Sequence, residues 1–235
     1  MKDKYNMSLE ENVFLAKRNL VENIYSNARV EGLNTTFPET YAIVEKANLN
    51  NVDISTVSVI LNLKHAWQFV LNNIQSPLNL EYICEVHNEV AKDEALSWGK
   101  LRTGKVAISG TNYIPPIPNE KAVKKVLDYY NSNENITERA IERMLWSMRE
   151  QLFWDGNKRT SLIIANKDLI SHGKGLITVS DKNLAEFMNL LSDFYTTNNN
   201  KQIKSFIYEN CIEGIDFNLE NEDFDEQDNS PSMKM

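Results

Sequence analysis

An all-α fold, a helical bundle interrupted by one short β-hairpin, is what this sequence predicts. Three observations lead there. Only 8 Gly and 6 Pro punctuate 235 residues, too few for the frequent tight turns of a β-sandwich. Apolar residues recur through most of the chain at the spacing of one helix face. Side chains suited to helix starts (Ser, Asp, Asn) stand before several of these runs. With 42% hydrophobic and 25% charged residues, the chain has the composition of one that buries a core. Its length fits one domain, or one domain with an added segment.

Taken in order, Ser8 can cap a helix from about Leu9 to Val30, with Val13, Leu20, Ile24 and Tyr25 on one face. Pro38 suits the start of a helix holding Tyr41, Ile43 and Val44. Asp53 to Leu71 reads as a long helix, and Asn79 caps another that carries Leu80, Ile83, Val86 and His87. Asn119 opens the run Glu120 to Tyr130, and Thr137, Ala140, Ile141, Met144, Leu145 and Met148 form a further stripe. Asn157 to His172 is closed by Gly173. Two more helices run from about Ser180 to Tyr195 and from about Lys201 to Cys211.

The interruption is Gly104 to Pro118, where Val106 and Ile108 alternate before the turn cluster Ser109-Gly110-Thr111-Asn112, with Tyr113 and Ile114 beyond it. That pattern signals a short hairpin, too small to be a sheet on its own. The tail after Gly214 is acidic and poor in apolar residues, so disorder is expected there.

The net charge of -8 argues against a whole-surface nucleic-acid binder. Seven acids and one base fall within residues 216–235, which leaves residues 1–215 near neutrality at -2. Cys84 and Cys211 are too few for a disulfide scaffold and read as small buried hydrophobes. His65, His87 and His172 lack zinc-ligand spacing and read as packing or surface residues. No apolar signal core opens the chain, and no apolar run nears the length of a membrane span. The expectation is a cytoplasmic protein with no membrane partner and no direct nucleic-acid partner; a homo-oligomer is compatible with it.

Chemistry concentrates in the stretch from Gln151 to Leu162, QLFWDGNKRTSL. A helix ends near Gln151, Asp155-Gly156 makes a turn, and Asn157 can cap the next helix. Lys158 and Arg159 then fall in its first turn, where cations oppose the positive end of the helix dipole by roughly 0.3–1 kcal/mol each. A bound anion reverses that sign. Free backbone N–H groups with two cations suit a phosphate, and Asp155 beside them suits Mg²⁺ bridging phosphate oxygens. The same residues also read as a plain turn and cap with two basic side chains reaching water.

This stretch resembles the signature loop of the Fic/Doc family, HxFx(D/E)GN(G/K)R. Other segments are similar to the family in the same order. Ile24 to Gly32 with Asn34-Thr-Thr36 resembles an N-terminal inhibitory helix. Asn62 to Ala66 resembles the helix that follows, and Leu80 to Val90 the helix before the flap. Gly99 to Arg102 and Lys105 to Pro116 resemble the flap hairpin and its exit. The resemblance implies a Fido fold, with residues 1–36 an inhibitory region, 37–213 the core with its flap at 104–118, and 214–235 the tail. It also implies transfer of AMP from ATP, with Mg²⁺, to a Ser, Thr or Tyr hydroxyl of a target protein. Asp155 is then the metal ligand, and Gly156, Asn157 and the backbone at Lys158 cradle phosphate. Arg159 pairs with the outer phosphates, and Phe153 anchors the loop. Val106, Ala107, Ile108 and Tyr113 dock the target segment.

Four departures qualify that implication. Gln151 stands at the catalytic His position, and an amide cannot accept a proton at neutral pH. Loss of a general base costs about 10²–10⁴ in rate while nucleotide binding can survive. Engineered or natural inactivation is therefore read ahead of rescue by another base, and the neighbouring Glu150 is a poor substitute. Leu162 occupies the place of a second arginine. Lys158 replaces the usual glycine, as in the Doc branch, where phosphate transfer is the alternative chemistry. A non-catalytic ATP-binding module is the further alternative. Glu31 matches the inhibitory glutamate, with Asn27 where a Ser or Thr usually sits.

Overall fold

The computed structural model describes residues 1–46 and 53–216. They form helices α1 (Leu9–Arg18), α2 (Leu20–Glu31), α3 (Phe37–Val44), α4 (Ile54–Asn72), α5 (Leu80–Val90), α6 (Glu120–Asn131), α7 (Ile136–Glu150), α8 (Asn157–Ser171), α9 (Asp181–Thr197) and α10 (Lys201–Asn210). One two-stranded antiparallel ribbon joins β1 (Leu176–Ile177) to β2 (Ile212–Glu213), pairing Leu176 with Glu213 and Ile177 with Ile212. The chain is thus all-α. Among the described residues no helix is long and apolar enough to cross a membrane. Most of the expected acidic tail lies outside the described residues.

Caps set most boundaries. Ser8 and Glu11 form a reciprocal capping box at α1, and Thr36 with Glu39 does the same at α3. Asp53, Asn79, Asn119 and Asn135 each accept a backbone N–H at the starts of α4, α5, α6 and α7. One expectation is corrected: the first helix is two. Asn19 (φ -96, ψ 19) leaves helical geometry and serves as the end of α1 and the start of α2. That break turns α2 independently and carries Glu31, at its C-terminal end, toward α8.

Helix α8 runs through the middle and packs against α1, α2, α4, α5 and α7. Its apolar residues divide between two cores. Ile163, Ile164 and Ile170 join the side built from α1 to α6, while Leu162, Ala165 and Leu169 join the side built from α7, α9 and α10. A helix buried on all sides must satisfy its polar groups internally. Asn166 does so by donating to the carbonyls of Leu162 and Ile177 and accepting from the Ile177 N–H. Lys167 donates to the Ser76 carbonyl and lies over the Tyr82 ring.

Asp168 takes the largest share of buried charge, paired with Arg139 at 2.8 Å and with the fully buried Arg143. Burial works to raise the Asp168 pKa, but Arg143 and Arg139 outweigh it and hold the carboxyl below its ordinary value. The stability it contributes is present above the ordinary carboxylate range and is lost as pH falls through its lower folded value. Asp168→Ala strands Arg143 as an unpaired buried cation and should cost about 3–5 kcal/mol in urea unfolding at pH 7. A cost under about 1 kcal/mol would mean that Arg143 finds other acceptors.

Candidate functional site

The site forms where α7 hands over to α8. Gln151 ends α7 in the left-handed region (φ 49) and reverses the chain. Asn157 then fastens the loop: its Oδ1 accepts the Phe153 N–H at 2.9 Å, and its Nδ2 donates to the Phe153 carbonyl at 2.9 Å and to Gln151 Oε1 at 3.1 Å. Asn157 therefore does not cap α8, contrary to the expectation. Its side chain is turned back into the loop, and Gly156 (φ 70) holds the N-cap position with no side-chain hydrogen bond. A Cβ on Gly156 would lie 3.2 Å from Val90 and 3.4 Å from Ala91, in a backbone conformation that side chains disfavour. The consequence is a helix start whose first N–H groups no side chain closes, an anion-accepting end.

Two cations stand at that end. Arg159 is 2% exposed, with Nε 3.3 Å from Glu31 Oε2, Nη1 2.7 Å from Glu94 Oε2 and Nη2 3.8 Å from Asp155 Oδ1. Lys158 Nζ lies 3.7 Å from Glu31 Oε1. Burial disfavours the Arg159 charge, but Glu31 and Glu94 reverse that effect and raise its pKa above the ordinary arginine value. Asp155 is 55% exposed, and its Oδ1 accepts the Gly156 N–H at 2.7 Å. One open carboxylate beside a helix start suits a divalent ion that takes its remaining ligands from phosphate and water. Among the described residues no group of three or more metal-ligating side chains gathers without such help.

Glu31 sits at the C-terminal end of α2, where an acid opposes the helix dipole, and the two cations of α8 compensate it. Leu162 is buried at 1% exposure in the core, so its position adds no charge to the site. Asn27, also on α2, is buried too, while Ser26 Oγ accepts the Val179 N–H at 2.9 Å.

Residues 77–169, which contain this loop and the helices that frame it, match the model of the Fic/DOC family. Over that stretch the chain is similar to the Fic/DOC family. Solved structures agree on the fold. Fic-1 from C. elegans superimposes with a TM-score of 0.71 at 18% identity, over 83% of this chain and 62% of that one. A Fic domain containing signaling protein from Bacteroides thetaiotaomicron gives 0.67 at 16%, over 86% and 85%. A Fic family protein from Desulfovibrio desulfuricans gives 0.65 at 13%, over 83% and 63%. The chain thus spans under two thirds of the Fic-1 chain. No curated protein matches it in sequence.

Within this loop, both ends of the Gln151 amide are engaged. Nε2 donates to the Met148 carbonyl at 2.6 Å and Oε1 accepts from Asn157. Glu150 is bound elsewhere, its Oε1 accepting the Tyr113 hydroxyl at 3.2 Å. Asp155 and Arg159 face each other across 3.8 Å.

The hairpin expected at Gly104 to Pro118 is not formed. Among the described residues its limbs carry no paired strand, and the one backbone hydrogen bond across its tip is Thr111 N–H to Ile108 O at 3.4 Å. Pro115 and Pro116 have no N–H to contribute to a ladder. Burial still alternates, with Val106 and Ile108 half-buried and Ala107 exposed. Arg102 joins the limbs instead. Its buried guanidinium donates to the carbonyls of Gly104, Pro115 and Pro116 and to those of Glu150 and Gln151 at the end of α7. Trp154 lies so close to Gly104 that a Cβ there would come within 2.5 Å of the indole. Arg149 stacks over Tyr113 at 3.5 Å.

Three residues of the site carry no sequence signal of their own role: Arg102, Glu94 and His87. The His87 ring stacks on Phe153 at 3.7 Å. Its Nδ1 accepts the Gly99 N–H at 3.0 Å, so Nε2 holds the proton and donates to the Asp155 carbonyl at 2.9 Å. Burial pushes its pKa down to about 4, opposed by the Asp155 carbonyl and helped by the Arg159 charge.

Two expectations follow. The unfolded imidazole, near pH 6.5, binds a proton more readily than the folded one, so stability is full above 6.5 and falls as pH drops toward 4, by about 3 kcal/mol in all. Chemical unfolding of His87→Gln across that window should show a flatter slope than the parent, and equal slopes would contradict the buried neutral ring. Arg102→Lys cannot reach carbonyls on both limbs at once and should cost about 2–4 kcal/mol; a loss below about 0.5 kcal/mol would show that the fork is dispensable.

Proposed function

We propose that this chain is a Fic-type transferase whose site takes Mg-ATP and directs AMP toward a Ser, Thr or Tyr hydroxyl of a target protein, and that Gln151 silences the transfer. One observation carries the reading: Asp155, Lys158 and Arg159 converge on the open N-terminus of α8. Backbone N–H groups at Asn157 and Lys158, with Gly156 allowing close approach, receive phosphate oxygens. Arg159 holds the outer phosphates, and Asp155 holds the Mg²⁺ that neutralises them. With the polyphosphate fixed, the α-phosphorus would stand in line for a target hydroxyl, whose oxygen bonds to it as the bond to pyrophosphate breaks, while a general base must remove the hydroxyl proton. Gln151 cannot take that proton.

Glu31 is the inhibitory residue in this reading, because its carboxylate lies against both cations that the phosphates need. Val106, Ala107, Ile108 and Tyr113 receive the target as an added strand. The alternating burial of 106 to 108 and the lack of a partner strand among the described residues support that role. The fastened Gln151 amide favours a second reading, a non-catalytic ATP-binding module, and Lys158 favours phosphate transfer as the variant chemistry.

ATP labelled at the α- or the γ-phosphate separates these readings in Gln151→His, alone and with Glu31→Gly. Label from the α-position on protein, lost on Mg²⁺ removal, is the expected result. Label from the γ-position alone indicates phosphate transfer. Mg-ATP binding without either label indicates the binding module. Absence of Mg-ATP binding, with Arg159→Ala no different from its parent, would overturn the nucleotide site.

A further inference from the structure

The guanidinium of Arg159 is bonded unevenly. Nη1 donates to Glu94 Oε2 at 2.7 Å and lies 3.5 Å from the Val90 carbonyl. Nε, although buried, makes no hydrogen bond, and neither does Glu31 Oε2 facing it, so that 3.3 Å contact is a charge pair without hydrogen-bond alignment. Nη2 lies 3.8 Å from Asp155, beyond hydrogen-bond reach. The side-on Nε–Nη2 fork, the edge that grips two phosphate oxygens together, therefore lacks a hydrogen-bonded protein partner at Nε and at Asp155. A buried donor left unpaired is destabilising, and a ligand oxygen would remove that cost.

Glu94 is itself held. Its Oε1 accepts from Asn62 Nδ2 at 2.6 Å, and the same amide donates to the Lys92 carbonyl at 2.8 Å. Asp93 in the left-handed region (φ 61) turns the chain just before it. A relay thus runs from α4 through the turn after α5 to α8.

We infer that Glu94 is a positioning residue: held by Asn62, it binds Nη1 and aims the Nε–Nη2 fork of Arg159 at a polyphosphate. The inference rests on the nucleotide reading above. It opposes the idea that Glu94 is one more blocking carboxylate beside Glu31, because the two predict opposite signs. A blocker raises affinity when removed, whereas a positioner lowers it.

Calorimetry on the full chain carrying Glu31→Gly tests this, with Mg-ATP and with AMP, which has no β- or γ-phosphate. Adding Glu94→Ala should weaken Mg-ATP at least about tenfold and change AMP less than about twofold. Glu94→Gln, which keeps one acceptor, should lie between Glu94→Ala and the Glu31→Gly parent. Should Glu94→Ala not fold, Glu94→Gln and Asn62→Ala carry the same comparison, each weakening Mg-ATP selectively. Unchanged or tighter Mg-ATP binding overturns the inference alone, as does an equal loss for both ligands. A Glu31→Gly parent that does not bind Mg-ATP overturns it together with the nucleotide reading.

Discussion

A buried positive charge at the positive end of a helix is the constraint on which the rest of this structure depends. Arg159 is almost wholly removed from water in the first turn of α8, where desolvation and the helix dipole both oppose its charge. That position is tenable only if carboxylates are brought to it. Glu31 arrives from the end of α2, Glu94 from the turn after α5 and Asp155 from the loop itself. The break at Asn19, the turn at Asp93 and the left-handed Gly156 are the local geometries that deliver them. The loop and the helices that frame it are thereby assembled around one guanidinium.

The frame around that charge is separable from the chemistry it serves. His87 holds the Asp155 carbonyl and stacks on Phe153, Asn157 binds the loop at both ends, and Arg102 ties the flap limbs to the end of α7. None of these contacts needs an imidazole at position 151. A loop fixed in this way keeps its geometry whatever side chain stands at 151, so for the proposed activity binding and turnover are distinct questions.

Much of the helical order was legible in the sequence because caps are local: Ser8, Asp53, Asn79 and Asn119 each act within a few residues of where they stand. Asn19 was less legible, since an Asn inside an apolar stripe does not announce a break. The hairpin reading followed a genuine alternation at Val106 and Ile108, but pairing is decided by the opposite limb, and two prolines there remove donors. The signature loop was legible as a motif, and its cations fell where the spacing placed them. Arg102, His87 and Glu94 were not, because their roles come from contacts 49, 68 and 65 residues away in sequence. Long-range partners leave no periodic trace.

The most direct measurement is a crystal structure of the chain carrying Glu31→Gly, grown with Mg²⁺ and a non-hydrolysable ATP analogue. The account places two outer-phosphate oxygens on the Nε–Nη2 edge of Arg159, the metal on Asp155, and Glu94 still on Nη1. Triphosphate density away from the N-terminus of α8, with Arg159 making no phosphate contact, would contradict it.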